Sequence, residues 1–481
     1  MSYCRAFVVF AAIFLQSVLV YSCSVVQSSF YVTHLVNRGI PKLQVGLIGM
    51  VPGVGFICST FFDGTGYFLH TRKMSLRIAQ CMFMAIVIVN CVVMGLVELL
   101  PTDYNQLLAA ILIIQRTLHG FLAFLTSKLT LECCRAWFPD HFNLTNGLQC
   151  SGMYFGGSLA ILMGGYVYEA YGYQMPYVFT GIICLLFWLY NLICMPKNSD
   201  PVIVKVKEVG DTIEAPWSKE ERLTEAANPG NVPEMSEDVA SSLNLSWRVA
   251  IPVAAMILTV VLEGFTAAIT TPYLKDIYDI PISRGSSYVF VQYIGLMIGA
   301  ASSGSMLQLG WFSASKVTAG GSILCVLGVM LVFPGEGIYF LYKEVPNIAY
   351  LGIFLQGYGS QMIGVATLPA LEETHVVLGG RPYTSKNKST AASIWLSSWM
   401  MSVYGGHLVA LMVMELMSFS NGGWMLAVFS SVSVFMSIAQ DIAIWRAKAA
   451  LKRAEVKVSV IKVNKLSREG VKNLSVQDMD C

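Results

Sequence analysis

Apolar residues run along the chain in blocks instead of the short alternating or amphipathic stretches of a water-soluble fold. Six blocks fall near 6–28, 44–69, 76–99, 105–132, 146–169 and 175–195. Six more fall near 249–273, 286–309, 315–335, 347–370, 390–413 and 423–445. A helix rises 1.5 Å per residue and a bilayer's hydrocarbon layer is about 30 Å thick, so roughly 20 apolar residues make one crossing. Between the two sets lies DPVIVKVKEVGDTIEAPWSKEERLTEAANPGNVPEMSEDVASS, rich in charge, Pro, Ser and Ala and too poor in large apolar residues to bury a core. The pattern predicts an all-α, multi-pass membrane protein with 12 transmembrane helices. Its expected divisions are an N-terminal six-helix bundle over 1–196, a cytosolic linker over 197–246, a C-terminal six-helix bundle over 247–445 and a basic cytosolic tail over 446–481.

Composition narrows the class. With 55% hydrophobic and 12% charged residues the chain is too apolar for a surface in water, and its net charge of +2 leaves no nucleic-acid footprint. Lys and Arg concentrate on one side: Arg72, Lys73, Arg77, Arg135, Lys316, Arg381, Lys386 and Lys388, besides the linker and tail. By the positive-inside rule that side is cytosolic, which places both termini in the cytosol of a plasma-membrane or vesicular protein. The opening run MSYCRAFVVFAAIFLQSVLVYSCSVV exceeds a signal peptide's apolar core and is expected to stay as helix 1. Most of the 12 cysteines fall inside apolar blocks as packing groups, with Cys133-Cys134 at a helix end as a candidate for palmitoylation. HExxH, P-loop, GxSxG, haem and flavin signatures are missing, so no enzyme, cofactor or metal site is expected, and uphill transport would draw on an ion gradient.

Ionisable groups inside membrane spans are costly unless they meet partners or water, which makes each a functional candidate. In LLAAILIIQRTLHGFLAFLTSKLTLECC, Arg116 sits about 15 Å into helix 4 and His119 follows on the same face. The arginine cannot shed its proton, so it needs a carboxylate, a carbonyl or a substrate anion; the alternative is a clamp between helices. Lys128 and Glu132, spaced i, i+4, are expected to pair. Glu263 in MILTVVLEGFTAAITTPYL is the foremost candidate to carry a proton or bind an amine. Trp395 and Trp399 share a face of helix 11, suited to an organic cation through their ring quadrupoles or simply to packing. Asp63, Glu372 and Glu373 close helices 2 and 10 where gating or structural ion pairs form between bundles. Helix 5, SGMYFGGSLAILMGGY, is crowded with glycine, which lets helices approach closely.

Two six-helix halves joined by a long loop are the plan of the major facilitator fold, whose halves are parallel repeats with the solute between them at mid-depth. A faint echo, GGYVYEAYGYQMPYVF against ALMVMELMSFSNGGWMLAVF, places Glu169 and Glu415 at corresponding helix exits. QRTLHGFLAFLTSKLTLECCRAWFPDHFNLTNGLQCSGMYFGGSLAILMGGYVYEAYGYQMPYVFTG resembles helices 4 to 6 of the vesicular amine transporter family, solute carrier family 18, most of all its vesicular polyamine transporter-like branch. SSFYVTHLVNRGIPKLQVGLIGMVPGVGFICS, TTPYLKDIY and the stretch from Pro369 to IWLSSWMMSVYGG add to the likeness, and Arg116 matches the arginine that major facilitator proteins carry in helix 4. The resemblance implies a proton-coupled antiporter that loads cationic amines into acidic compartments, with cavity acids binding the substrate. Helix 1 holds no acid where monoamine carriers have an aspartate, and Ala160-Ile161 stands where the antiporter pattern has Gly-Pro.

The expected function is therefore secondary active transport, as proton-coupled antiport of amines or polyamines by alternating access. Expected partners are a small solute, protons and lipid, with no nucleic acid, and the chain is expected to be a monomer. Two alternatives remain open at this point: a carrier of an anion such as a monocarboxylate, using Arg116, His119 and Lys128, or a non-transporting receptor or scaffold derived from a carrier.

Overall fold

The computed structural model describes residues 3–63, 76–194, 247–278, 281–332, 347–379, 385–416, 425, 427–450 and 452–453. Its long helices are α1 (Tyr3–Val25), α2 (Lys42–Asp63), α3 (Leu76–Leu96), α4 (Asn105–Trp137), α5 (Phe142–Tyr171) and α6 (Gln174–Cys194), then α7 (Trp247–Tyr278), α8 (Ile282–Gln308), α9 (Ala314–Val332), α10 (Asn347–Gly379) and α11 (Ser385–Leu416). A further helix, α12, spans Ala427–Ala450. Six helices thus precede the linker and six follow it, and the described residues contain no strand. Nine of the described helical segments are long and apolar enough to cross a membrane. The expected all-α membrane fold is what the chain adopts.

The blocks locate the helices but not their ends. α4 runs on to Trp137 and α5 begins at Phe142, because both project past the apolar layer into polar turns at Phe138–His141. The chain leaving α1 makes a 3-10 turn over Val26–Ser29 and then a two-turn helix, Tyr31–Asn37, which the apolar pattern did not separate from its neighbours. α12 carries the chain helically to Ala450, into what read as tail. The linker at 197–246, the side chains of Asp63 and Arg77, and Arg72, Lys73 and Arg381 lie outside the described residues.

Each helix divides its circumference between lipid and protein. On α4, Ile114 is 71% exposed and Leu118 48%, whereas Arg116 and His119 on the opposite face are each 3% exposed. Where large apolar groups face outward in this way, lipid and not water is the surrounding medium.

The halves meet along two seams, α5 against α8 and α2 against α11. Shifting by six helices turns α5 into α11 and α8 into α2, so the two seams are equivalent under the repeat. Glycine makes both possible. A Cβ on Gly147 would strike the Ala300 carbonyl and Gly304, and one on Gly53 would press on the Met401 backbone. Within the halves the same equivalence recurs: Gly156 of α5 lies on the Val18 carbonyl of α1, and Gly406 of α11 lies on the Val261 carbonyl of α7. Helices without a hydrophobic drive toward one another associate through such close backbone packing.

Candidate functional site

Two opposite charges sit in the interior, one per half, at similar depth. Arg116 lies about 16 Å along α4 from Asn105, and Glu263 about 14 Å along α7 from Pro272, both measured from the end opposite the basic one.

Arg116 is held by neutral groups. With the Gln27 amide oriented so that its oxygen faces the guanidinium, that oxygen accepts from Nη1 and Nη2, both at 2.9 Å, and the amide nitrogen meets the Tyr177 hydroxyl at 3.1 Å. Tyr177 donates in turn to Tyr173 at 3.0 Å; burial pushes the Tyr173 phenol up to about 12, which keeps it neutral in the turn before α6. The Tyr31 ring covers the guanidinium carbon at 5.1 Å. No carboxylate lies within ion-pair distance among the described residues, and Nε has no hydrogen-bond partner there. Of the three kinds of partner expected for Arg116, the one present is a carbonyl.

His119 shares Arg116's face but not its partners. Its Nε2 lies 2.8 Å from Ser24 Oγ of α1, and its Nδ1 lies 3.3 Å from Asn90 Nδ2 of α3. Asn90 Nδ2 is a donor, so Nδ1 accepts and Nε2 carries the hydrogen; the tautomer is assigned from these bonds. Asn90 is itself fixed by a reciprocal pair with Gln115, at 3.4 Å and 3.0 Å. With both ring nitrogens satisfied, His119 ties α1, α3 and α4 together.

Glu263 is fully buried, and its partners come from both halves. Oε1 accepts from the Tyr154 hydroxyl of α5 at 3.2 Å, and Oε2 from Ser360 Oγ of α10 at 3.2 Å. Gln361 donates to the same Tyr154 oxygen at 2.6 Å. No Lys, Arg or His forms an ion pair with it among the described residues. Around it stand aromatic rings: Tyr154 meets Tyr21 at 5.2 Å, Tyr293 at 5.7 Å and Trp399 at 6.3 Å between centroids. Trp395 and Trp399 pack at 5.1 Å, with Trp395 anchored by a 2.7 Å bond to the Gly364 carbonyl. The Trp399 indole nitrogen is buried without a partner. This is an acid inside an aromatic surround, and it can bind a cation through charge and ring quadrupole together. Tyr404 of α11 lies within electrostatic range of both Arg116 and Glu263.

Ion pairs close the basic end. Arg135 Nη2 meets Glu372 Oε1 at 2.9 Å and Nη1 donates to the Lys388 carbonyl at 2.9 Å, joining α4 to α10 and α11 across the halves. Glu132 lies 3.8 Å from Arg135, one turn away, and Glu373 pairs with Lys448 at 2.5 Å. Lys128 is buried within α4. Gln308 donates to the Asp140 carbonyl at 2.8 Å, a further bond between halves. At the other end Glu169 accepts from the Ser283 amide at 3.0 Å, bonding α5 to the first turn of α8, whereas Glu415 is exposed. Bonds thus join the halves at both ends. A partly exposed charge pair contributes about 1 kcal/mol, or roughly five-fold in an equilibrium. Arg135→Gln is therefore expected to lower oxidative cross-linking of an Asp140→Cys, Gln308→Cys pair about five-fold; an unchanged yield would remove Arg135 from the closure.

Several of these groups escape sequence reading. Tyr154, Ser360, Gln361 and Gln27 are neutral and carry no signal beyond lying in apolar runs, and Arg135 read only as a marker of topology. Cys133 and Cys134 are 2% and 0% exposed, packed with Val9 and Ile13, so the expectation of acylation is overturned: neither sulfur reaches the lipid.

A family model described as Major Facilitator Superfamily matches residues 5–377, reaching across both halves. No curated protein matches the chain.

Proposed function

The chain belongs to the major facilitator superfamily, a secondary transporter of a small solute, and from that membership we propose proton-coupled antiport of organic cations of the amine or polyamine class, by alternating access. The observation that carries this reading is Glu263: a carboxylate buried from water, bonded among the described residues to neutral donors only and ringed by aromatics. A buried carboxylate without a counter-ion is neutralised by whichever cation reaches it, a proton or an ammonium. One acid cannot hold both, and mutually exclusive occupancy is the minimum requirement for exchange. An ammonium on Glu263 would also lie against Tyr154 and Trp399, where cation–π attraction adds about 2 kcal/mol in a desolvated site. The resemblance to vesicular amine transporters points to the same solute class. Arg116, bound by Gln27 and Tyr31, supplies a fixed positive charge in the other half, and His119 holds the helices that position it.

A second reading has its own observation. Among the described residues Arg116 has no carboxylate partner and its Nε no acceptor, so a solute anion would find a donor there. Competition separates the two in proteoliposomes of the purified chain under an imposed pH gradient. Uptake of a labelled amine should fall with added spermidine and be indifferent to lactate. The reverse order would move the solute from Glu263 to Arg116.

A further inference from the structure

The Tyr154 hydroxyl occupies an unusual place. It belongs to α5 in the first half, yet its hydrogen-bond partners, Glu263 Oε1 at 3.2 Å and Gln361 Nε2 at 2.6 Å, belong to α7 and α10 in the second. Among the described residues it supplies the bond by which Glu263 is held from the first half. Its ring is fixed against Tyr21, Tyr293 and Trp399, so the oxygen has little freedom to leave. Gln361 Oε1, beside it, is buried and unpartnered.

With Glu263 as the carboxylate, the hydrogens run one way: Gln361 N–H to Tyr154 oxygen, Tyr154 O–H to Glu263 oxygen. A proton arriving on Oε1 removes that acceptor and supplies a donor in its place. The phenol has one hydrogen and must turn it elsewhere. A half-turn of the Gln361 amide offers the acceptor, Oε1, which has no partner in the structure. The row then runs Glu263 O–H to Tyr154, Tyr154 O–H to Gln361. No bond is lost, but every bond reverses, and the row joins α7, α5 and α10.

We propose that Tyr154 and Gln361 form a proton-reversible hydrogen-bond relay that reports the charge of Glu263 to the α5 seam, with Tyr154 as the positioning residue for coupling. The inference rests on the reading of Glu263 as the proton-exchanging acid. The other titratable side chains around Glu263 are Tyr21 of α1, Tyr293 of α8, Cys325 of α9 and Tyr404 of α11, three phenols and a thiol. Among the described residues, it is Tyr154 that accepts from Gln361. When an ammonium displaces the proton, the carboxylate returns and the row swings back. Glu263 is neutralised in both loaded states, but the row points one way with the proton and the other with the ammonium, so the α5 seam meets a different hydrogen-bond pattern in each.

Tyr154→Phe keeps the ring and removes the oxygen. In proteoliposomes the stimulation of uptake by a pH gradient is expected to fall at least ten-fold, and by more than amine-for-amine exchange falls. Gln361→Leu, which leaves Tyr154 intact and deletes the second acceptor, is expected to do the same. The infrared band of the protonated Glu263 carbonyl should shift in both variants. If both variants keep the wild-type dependence on the pH gradient, or lose exchange and gradient response in equal measure, the relay is wrong. A wild-type protein that ignores the gradient would instead overturn the reading of Glu263, whatever the variants do.

Discussion

Glu263→Gln is expected to abolish proton-driven accumulation of an organic cation and to leave the folded chain intact. Glutamine matches glutamate in shape; its amide oxygen can still accept from one of the two hydroxyls, Tyr154 or Ser360, both at 3.2 Å in the native site, while its amide nitrogen donates to the other. What it lacks is the charge that a proton or an ammonium neutralises. Removing one member of a buried charge pair costs about 2 kcal/mol or more, about 30-fold in binding. Initial uptake should drop by at least that factor, and the response to a protonophore should vanish with it. A purely structural glutamate would give a different result, since the glutamine variant would then transport at close to the wild-type rate.

Gly264→Ala is expected to destroy the fold one residue further along. A Cβ there would overlap the Val403 carbonyl oxygen of α11, and one on the facing Gly406 would strike the Val261 carbonyl of α7. The obstacle is backbone and not the tip of a mobile side chain, so the helices must separate. Overpacking in a rigid core costs about 3 kcal/mol at the upper end of the usual range. Detergent-purified Gly264→Ala should melt well below wild type or fail to elute as a single species. Gly405→Ala is the control: nothing lies within 4 Å of a Cβ at Gly405, and it should melt as wild type does. Equal melting of Gly264→Ala and wild type would contradict the packing described for α7 and α11.

The two predictions mark where sequence reading succeeds and where it stops. Membrane spans are legible because each apolar block must satisfy its own backbone and face lipid, both local requirements. Arg116 and Glu263 stood out for the same reason: a charge in an apolar run needs an explanation wherever it points. Their partners do not stand out. Gln27 reaches Arg116 only because the chain turns at Val26–Ser29, and Tyr154 reaches Glu263 only because α5 crosses to the second half beside α8. The glycine crowding of α5 read as close packing, which it is, but Gly264 is as tightly placed with no neighbouring glycine to announce it. Glu372 read as a gating acid, while its partner Arg135 lies 237 residues away and is assigned by geometry alone.

His119 is the instructive case among the candidate residues. Its spacing from Arg116 suggested shared chemistry, but spacing on a helix fixes the face and not the neighbours. Ser24 and Asn90, from two other helices, decide the tautomer and give His119 its role in holding α1, α3 and α4.

The central claim is that one acid exchanges a proton for an organic cation. Proton movement, recorded with a pH-sensitive dye trapped inside proteoliposomes of the wild-type chain when an amine is added outside, tests it most directly. The account predicts proton efflux that begins with amine entry, saturates with amine concentration and disappears in Glu263→Gln. Amine entry with no accompanying proton movement would contradict it.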